Sequence, residues 1–185
     1  MTKVKNLFFI LLASLLAFTS CDKNSTIDIP LSSVIITLDN IMVDDASNLK
    51  STMNSFAVTQ IISYSDIEGL SDEAKKYQGN IESILADSIY VTISTTDEEG
   101  TIVENFCIQV NGLNDFSISE YFFGTLYTAD HLSEYVSQLL TKIMKSESGA
   151  AINVSGETDV SSGESLKVEI TLRGVTLKAK VINFL

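Results

Sequence analysis

The chain has 185 residues, of which 24 are acidic and 12 are basic, so its formal charge at pH 7 is −12. An acidic surface repels phosphate backbones, and no basic patch interrupts it, which excludes nucleic acid as a partner. Arg173 is the only arginine, which argues against an arginine clamp for phosphate or carboxylate groups.

The N-terminal segment has the three parts of an export signal. Lys3 and Lys5 give it a positive start, residues 7–16 form an apolar run, and the two residues before Cys21 are small. The apolar run is about half of the length that a membrane-spanning helix needs. We therefore predict a cleaved signal peptide over residues 1–20 rather than a permanent transmembrane anchor.

The cysteine that follows the small residues indicates a lipoprotein. Residues 18–21, Phe-Thr-Ser-Cys, resemble a lipobox, and the segment with its short polar tether is similar to that of small Bacteroidetes-type lipoproteins of unknown function. The resemblance implies that Cys21 is lipidated and anchors the protein in the bacterial cell envelope, with the outer membrane as the expected location. Whether the protein faces the periplasm or the cell surface stays open. The alternative is an ordinary secretory signal that is cut near the same place.

Cleavage before Cys21 leaves ten basic and 24 acidic residues, a formal charge of −14. We predict a tether over residues 21–30 and a single β-rich domain over residues 31–185, a length that suits one hydrophobic core. With Cys21 lipidated, Cys107 is the one remaining thiol. No disulfide bond within the chain is expected.

The first half of the predicted domain is strand-rich with one short helical pattern. Residues 34–43 are rich in β-branched side chains and predict a strand. Residues 55–64 predict a second strand, although their apolar pattern also fits a helix. Ser71 is a candidate N-cap, and apolar residues at helical spacing extend the predicted helix to about Ala86, with Gly79 weakening it.

The next three segments alternate as half-buried strands. Residues 88–94 and 101–110 flank an acidic turn at 97–100, and this arrangement predicts a β-hairpin. A second turn over residues 111–115 leads into a third strand over residues 116–123.

The clearest element is an amphipathic helix over residues 130–145. Its apolar residues recur every three or four positions and form one wide stripe. Asp130 is the candidate cap, and Lys142 and Lys145 complement the C-terminal end of the helix dipole. A stripe of this kind most often covers a sheet, which is the role that we predict.

The C-terminal part again predicts strands. Residues 151–156 and 165–172 flank a Ser/Gly-rich turn, and Gly174 separates the second of these strands from a third over residues 175–182. In the last two runs apolar residues fall at every other position, as in a strand with one buried face.

The pattern as a whole predicts a mainly β fold. We expect an antiparallel β-sandwich, Ig-like or a related Greek key, with one or two helices packed on it. The alternative is an α+β open sheet with the helix over residues 130–145 laid on one face.

Motifs of known catalytic chemistry are missing from the sequence. It contains no Gly-x-Ser-x-Gly elbow, no His-Glu-x-x-His pair and no Walker-type loop. His131, the one histidine, lies at the start of the predicted helix, which favours an exposed or packing role. Cys107 lies inside a predicted strand and is interpreted as a small buried hydrophobe. We assign no catalytic, cofactor-binding or metal-ligating residue and no cofactor.

Two weaker patterns concern glycans. The aromatic residues at positions 121, 122, 123 and 127 could stack on a sugar ring, although core packing explains them as well. Residues 87–89, Asp-Ser-Ile, resemble the O-glycosylation sequon of Bacteroidetes-type envelopes. The resemblance implies Ser88 as a candidate O-glycosylation site.

These observations favour a lipid-anchored envelope protein that acts as a non-enzymatic binding or accessory module. The expected partners are the membrane, through the N-terminal lipid, and a glycan or another envelope protein; the oligomeric state stays open. One alternative is a carboxylate-based glycan hydrolase, which requires two carboxyl groups facing each other across a cleft. Another is a carrier of an apolar ligand, which requires a sizeable apolar cavity.

Overall fold

The computed structural model of the chain describes residues 25–45, 53–97 and 99–181. The predicted signal peptide and Cys21 lie outside these residues. Eight strands, two α-helices and one 3₁₀ turn make up the described part. The strands are β1 Thr26–Met42, β2 Asn54–Ile62, β3 Ile81–Leu85, β4 Ser88–Thr95, β5 Ile102–Val110, β6 Phe116–Phe122, β7 Ala150–Thr158 and β8 Ser165–Lys180. The helices are α1 Asp72–Lys76 and α2 Asp130–Lys145, and the 3₁₀ turn is Tyr64–Asp66.

The strands form two antiparallel four-stranded sheets. In sheet A, β8 pairs with β1 along one edge and with both β3 and β4 along the other. In sheet B the order is β2–β7–β5–β6. The predicted mainly β, antiparallel sandwich with packed helices is therefore confirmed, and the chain does not form the single open sheet of the alternative.

One contiguous apolar core joins both sheets and the long helix. Alternate residues of each strand supply it, for example Ile89, Val91 and Ile93 of β4. Phe56, Phe106 and Phe116 are its largest fully buried side chains. Full burial of one such aliphatic or aromatic side chain contributes about 1.5–3 kcal/mol, so this core is a main source of the domain's stability.

The long strands β1 and β8 change their buried face together. In β8 the buried apolar residues are even-numbered up to Leu172 and odd-numbered from Val175 onwards. In β1 the same change falls between Leu31 and Val34, which pair with Val175 and Leu172. Gly174, with φ of 59°, lies at this point. The positive φ lets β8 redirect its side chains without breaking its pairing with β1.

The helix predicted from Ser71 to Ala86 is wrong beyond its first turns. Ser71 is the N-cap, as predicted, and its side chain accepts the N–H of Ala74 at 3.1 Å. The helix ends at Lys76, and Gly79 adopts φ of 82°. Residues 81–85 instead pair with β8, because Ile81 and Ile84 gain burial against the sheet that a short helix could not offer.

The hairpin predicted for residues 88–110 is also wrong. Both strands form, but β4 pairs with β8 in sheet A while β5 pairs with β6 and β7 in sheet B. The acidic segment between them crosses from one sheet to the other. Such long-range pairing overrides the local turn signal.

Two boundaries differ from the sequence prediction. The strands predicted on either side of Gly174 are one continuous strand, β8, since β1 pairs with it on both sides of the glycine. At the other end, β1 begins at Thr26, where Thr26 pairs with Lys180. Residues 26–30, which the sequence assigned to the tether, therefore belong to sheet A.

Helix α2 forms as predicted and buries its whole apolar stripe against the sheets. The buried residues are Leu132, Tyr135, Val136, Leu139, Leu140, Ile143 and Met144. Its N-cap is Ala129 and makes no side-chain cap, so Asp130 is the first helical residue rather than the cap. In the described part of the chain, no helix is long and apolar enough to span a bilayer.

Candidate functional site: the cleft beside Ser88

Ser88 is the only residue predicted from sequence as a modification site that lies in the described part. It is the first residue of β4, is exposed, and pairs with Arg173 of β8. It lies where β3 ends and β4 begins, directly beside the point at which β8 changes its buried face. The predicted acceptor hydroxyl is thus on the surface, in extended backbone.

A shallow cleft of about 400 Å³ runs past this serine, and we call it the Ser88 cleft. One wall comes from the β3–β4 junction and the other from the start of α2. It is lined by Ala86, Asp87, Ser88, Ile89, Thr128, Ala129, Asp130 and Ser133.

The wall next to Ser88 is fixed by Asp87 and Gly174. The backbone N–H of Asp87 donates to the carbonyl oxygen of Arg173 at 2.9 Å. A Cβ atom on residue 174 would lie 2.6 Å from Cγ of Asp87 and overlap its carboxylate. A glycine at this position therefore both allows the positive φ and leaves room for the Asp87 carboxylate.

The opposite wall is the first turn of α2 and the loop before it. Asp130 lies in this first turn, where the positive end of the helix dipole favours a carboxylate. The bridge between Tyr127 and Val91 fixes the loop, with the two N–H···O distances both 3.0 Å. Because that bridge ties the loop to β4, both walls belong to the same rigid framework.

The single arginine lies at the outer rim of this region. Its guanidinium carbon is 5.4 Å from the centre of the Tyr90 ring, which is a cation–π contact. Tyr90 pairs with Thr171 in the register that places Ser88 opposite Arg173. The Arg173 side chain is thereby held on the outer face of sheet A, next to the candidate acceptor.

Most side chains that line the cleft are polar, and the cleft is open to solvent. Hydroxyls of Ser88, Thr128 and Ser133 and the carboxylates of Asp87 and Asp130 line it. Such groups form hydrogen bonds with polyhydroxylated or cationic groups rather than with apolar ones. An exposed serine in this setting is also within reach of a modifying enzyme.

His131 does not line the cleft, although it follows Asp130 directly in the first turn of α2. Its ring centre is 5.7 Å from that of Phe116 in a tilted arrangement, and the residue is exposed. With Asp115, Glu134 and Tyr135 it lines a depression of about 140 Å³. The structure therefore places it as an exposed histidine that packs on an aromatic ring, which agrees with the sequence interpretation.

Cys107 does not lie in the core, which corrects the sequence interpretation. It is half-buried, while its neighbours Phe106 and Ile108 are fully buried, so its side chain points to the outer face of sheet B. Burial and the nearby charge of Asp115 raise the pKa of the thiol. A thiol with a raised pKa is a poor nucleophile at neutral pH.

The four clustered aromatic residues do not form an exposed platform. Tyr121 is buried, and its hydroxyl accepts the N–H of Ile93 at 2.9 Å and donates to the carbonyl of Thr125 at 2.7 Å. Phe123 packs edge-on against Tyr121. Of the four, only Phe122 is an exposed large side chain, at 52 %. Core packing thus accounts for most of the cluster.

The described depressions are open to solvent rather than enclosed. The groove between β3 and α2 measures about 390 Å³. Two of its lining residues, Ile84 and Leu113, are large and apolar, and the others are polar or charged. No group of three or more His, Cys, Asp or Glu side chains that could hold a metal ion occurs within residues 25–45, 53–97 and 99–181.

Sequence reasoning found Ser88 but missed the rest of the cleft. Asp87 was part of the same three-residue pattern, yet its packing against Gly174 depends on a contact 87 positions along the chain. The sequence signal for this contact was Gly174, because an isolated glycine inside a strand pattern often marks a place where another part of the chain approaches the backbone closely. Nothing local in the sequence indicated that Thr128 and Asp130 would face Ser88.

Comparisons with known proteins add little to this picture. No family model matches the chain, and no curated protein matches it either. A chain from the cryo-EM structure of a semi-empty VLP of the giant freshwater prawn Macrobrachium rosenbergii nodavirus is similar at a TM-score of 0.35. It is 10% identical, with 89% of this chain and 99% of that chain covered. A TM-score this low carries no argument about fold or function.

Proposed function

We propose that this chain is a lipid-anchored protein of the bacterial cell envelope, located at the outer membrane. Its β-sandwich serves as a non-enzymatic binding or accessory module. The observation that carries the proposal is the sequence of the N-terminal segment: an export signal ends in small residues directly before Cys21. The first strand begins at Thr26, so a folded domain follows the cysteine after a very short tether.

The structure supports the binding role by what it presents on the surface. The Ser88 cleft offers hydroxyls and carboxylates on a rigid framework that involves β4, β8 and α2. Rigid polar surfaces of this kind suit a polar partner such as a glycan or another envelope protein, because the hydrogen-bonding groups are already positioned.

Fractionation of cells that produce the Cys21→Ala variant tests the anchor. Several acyl chains on one cysteine hold a protein stably on a membrane, whereas the unmodified domain has no such anchor. We expect the variant to leave the membrane fraction while Cys107→Ser, the matched control at the other cysteine, stays there. A Cys21→Ala variant that remains fully membrane-bound would refute the proposal.

We further propose that Ser88 carries an O-linked glycan. Its exposure at the start of β4 supports this, since a transferase can reach the hydroxyl without unfolding the sheet. The Ser88→Ala variant should lose the glycan mass from the purified protein. Ser94→Ala is the control, because Ser94 is exposed on the same strand but lies outside the sequon. An unchanged intact mass in Ser88→Ala would rule the modification out.

A further inference from the structure

We infer that the anchored domain stands with one defined end toward the membrane and its two acidic inter-sheet loops pointing away. The inference rests on the proposed lipid anchor at Cys21. The membrane-facing end, which we call the tether end, is the surface around Ser25, Asn80, Met144 and Lys180.

Backbone hydrogen bonds bring these four residues together. The N–H of Val181 donates to the carbonyl of Ser25, and the N–H of Lys180 donates to that of Asn80, both at 2.9 Å. The N–H of Gly79 donates to the carbonyl of Met144 at 3.0 Å. The start of β1, the end of β8, the start of β3 and the end of α2 therefore meet at one end of the sandwich.

The tether is too short to let this end move far from the bilayer. Five residue steps separate Cys21 from Thr26, the first paired residue of β1. A fully extended chain gains at most about 3.6 Å per residue, so the reach is about 18 Å. That distance is smaller than the domain itself, and the tether end must stay next to the membrane surface.

The opposite end, which we call the loop end, holds the two crossovers at residues 96–101 and 159–164. These segments link β4 to β5 and β7 to β8, and β8 runs from the loop end to the tether end over 16 residues. At about 3.3 Å per residue a strand of that length spans at most about 50 Å. The loop end is therefore the part of the domain farthest from the point of attachment along sheet A.

The two ends differ in charge. Near the tether end, Lys145, Lys178 and Lys180 accompany Asp28, Glu82 and Glu147, so positive and negative groups balance. The described residues of the two crossovers include Asp97, Glu99, Asp159 and Glu164 and no lysine or arginine. The described residues of the two crossovers thus carry four carboxylates without a lysine or arginine, whereas the charges near the tether end balance.

This asymmetry sets the orientation at a bilayer that carries anionic head groups. Phosphate groups repel the acidic loop end, and they attract lysines that come within a Debye length of about 8 Å. A domain that tips over would bring the carboxylates of the loop end toward the head groups. The upright arrangement instead presents the loop end to partners in the surrounding compartment.

Site-specific quenching on the lipidated full chain tests this orientation. In a Cys107→Ser background, a fluorophore is attached to Ser148→Cys, near the tether end, or to Ser162→Cys, at the loop end; both serines are exposed. The protein is reconstituted into vesicles of phosphatidylcholine and phosphatidylglycerol that contain a head-group-labelled quencher lipid. We expect several-fold stronger quenching at position 148 than at position 162. Equal quenching, or stronger quenching at position 162, would overturn the orientation.

The intact mass of the same sample separates this inference from the anchor on which it rests. A protein without acyl chains on Cys21 would overturn both. An acylated protein with equal quenching at the two positions would overturn the orientation alone. As a charge control, Lys145→Gln with Lys178→Gln should reduce the difference in quenching between positions 148 and 162, whereas Lys167→Gln, close to the loop end, should not reduce it.

Discussion

The carboxylate of Asp159 accepts the backbone N–H of Thr101, 58 residues earlier in the chain, at 2.9 Å. It also accepts the N–H of Ile102 at 2.9 Å and the hydroxyl of Thr101. Asp97 makes the reciprocal link, since its carboxylate accepts the N–H of Ser161 at 2.7 Å. Each inter-sheet crossover thus carries an aspartate that binds the backbone of the other, and the pair fastens sheet A to sheet B at the loop end.

Removal of the Asp159 carboxylate should destabilise the fold. Asp159→Ala leaves the N–H groups of Thr101 and Ile102 without their charged acceptor, and we expect a loss of about 2 kcal/mol in the free energy of unfolding. Urea denaturation followed by circular dichroism measures it. Asp45→Ala, at an exposed aspartate, should change the value by less than about 0.5 kcal/mol. Equal stability of the two variants would contradict the fastening role.

Low pH should weaken the hydrogen bonds that the carboxylates of Asp159 and Asp97 accept. Partial burial acts to raise the pKa of Asp159, but the hydrogen bonds from Thr101 and Ile102 outweigh it, so the pKa lies below its usual value of 3.8. The hydrogen bond from the Ser161 N–H likewise lowers the pKa of Asp97. A carboxyl whose pKa is lower in the folded state contributes stability above its unfolded pKa and loses it as the pH falls through the folded value.

The difference in unfolding free energy between the wild type and Asp159→Ala should therefore have its full value at pH 6 and decrease below about pH 4. Urea midpoints measured across this range give the result. A difference that stays constant down to the acid limit would show that the ionised carboxylate is not what stabilises the loop end.

Gly174 should tolerate no side chain without a change at Asp87. Gly174→Ala places a Cβ against the Asp87 carboxylate in a backbone of positive φ, and we expect a loss of about 1–2 kcal/mol. Gly163→Ala is the matched control, because Gly163 also has positive φ but nothing lies within 4 Å of its Cβ position. Asp87→Ala should partly rescue Gly174→Ala and should not rescue Gly163→Ala. If the change in unfolding free energy from Asp87→Ala simply adds to that from Gly174→Ala, as it does to that from Gly163→Ala, residue 174 does not contact Asp87.

The buried Tyr121 hydroxyl should contribute more to stability than the hydroxyl of the partly buried Tyr64. It links β6 of sheet B to β4 of sheet A through the N–H of Ile93. Tyr121→Phe keeps the ring but leaves that buried N–H unpaired, at a cost of about 1–3 kcal/mol in the free energy of unfolding. Thermal unfolding of Tyr121→Phe and of the control Tyr64→Phe gives the comparison. A Tyr121→Phe variant as stable as the control would show that water replaces the hydroxyl without cost.

Elements governed by local pattern could be predicted from the sequence, and elements governed by distant pairing could not. The stripe of α2 and the alternation in β4 are visible in short windows, and both formed. The prediction that α1 extends to about Ala86 was wrong because Ile81 and Ile84 fit the spacing of a helix as well as that of a strand. Their pairing with β8 makes this segment a strand. The predicted β4–β5 hairpin was wrong because β4 pairs with β8, whereas β5 pairs with β6 and β7.

In the candidate site, too, the residues in a local pattern could be predicted and the long-range contacts could not. Ser88 and Asp87 could be selected from a three-residue pattern, whereas the cleft that they line requires the kink at Gly174 and the start of α2. Cys107 was misplaced because a strand interior has two faces, and sequence alone did not show that Phe106 and Ile108 would take the buried one. Periodicity identifies alternate faces but does not say which of them another layer will cover.

The lipid on Cys21 is the central claim, and the intact mass of the protein extracted from membranes tests it most directly. We predict a mature chain that begins at Cys21 and carries the added mass of acyl chains, and the Cys21→Ala variant should yield no acylated species. A chain that begins at another residue, or a Cys21 without added acyl mass, would contradict the account.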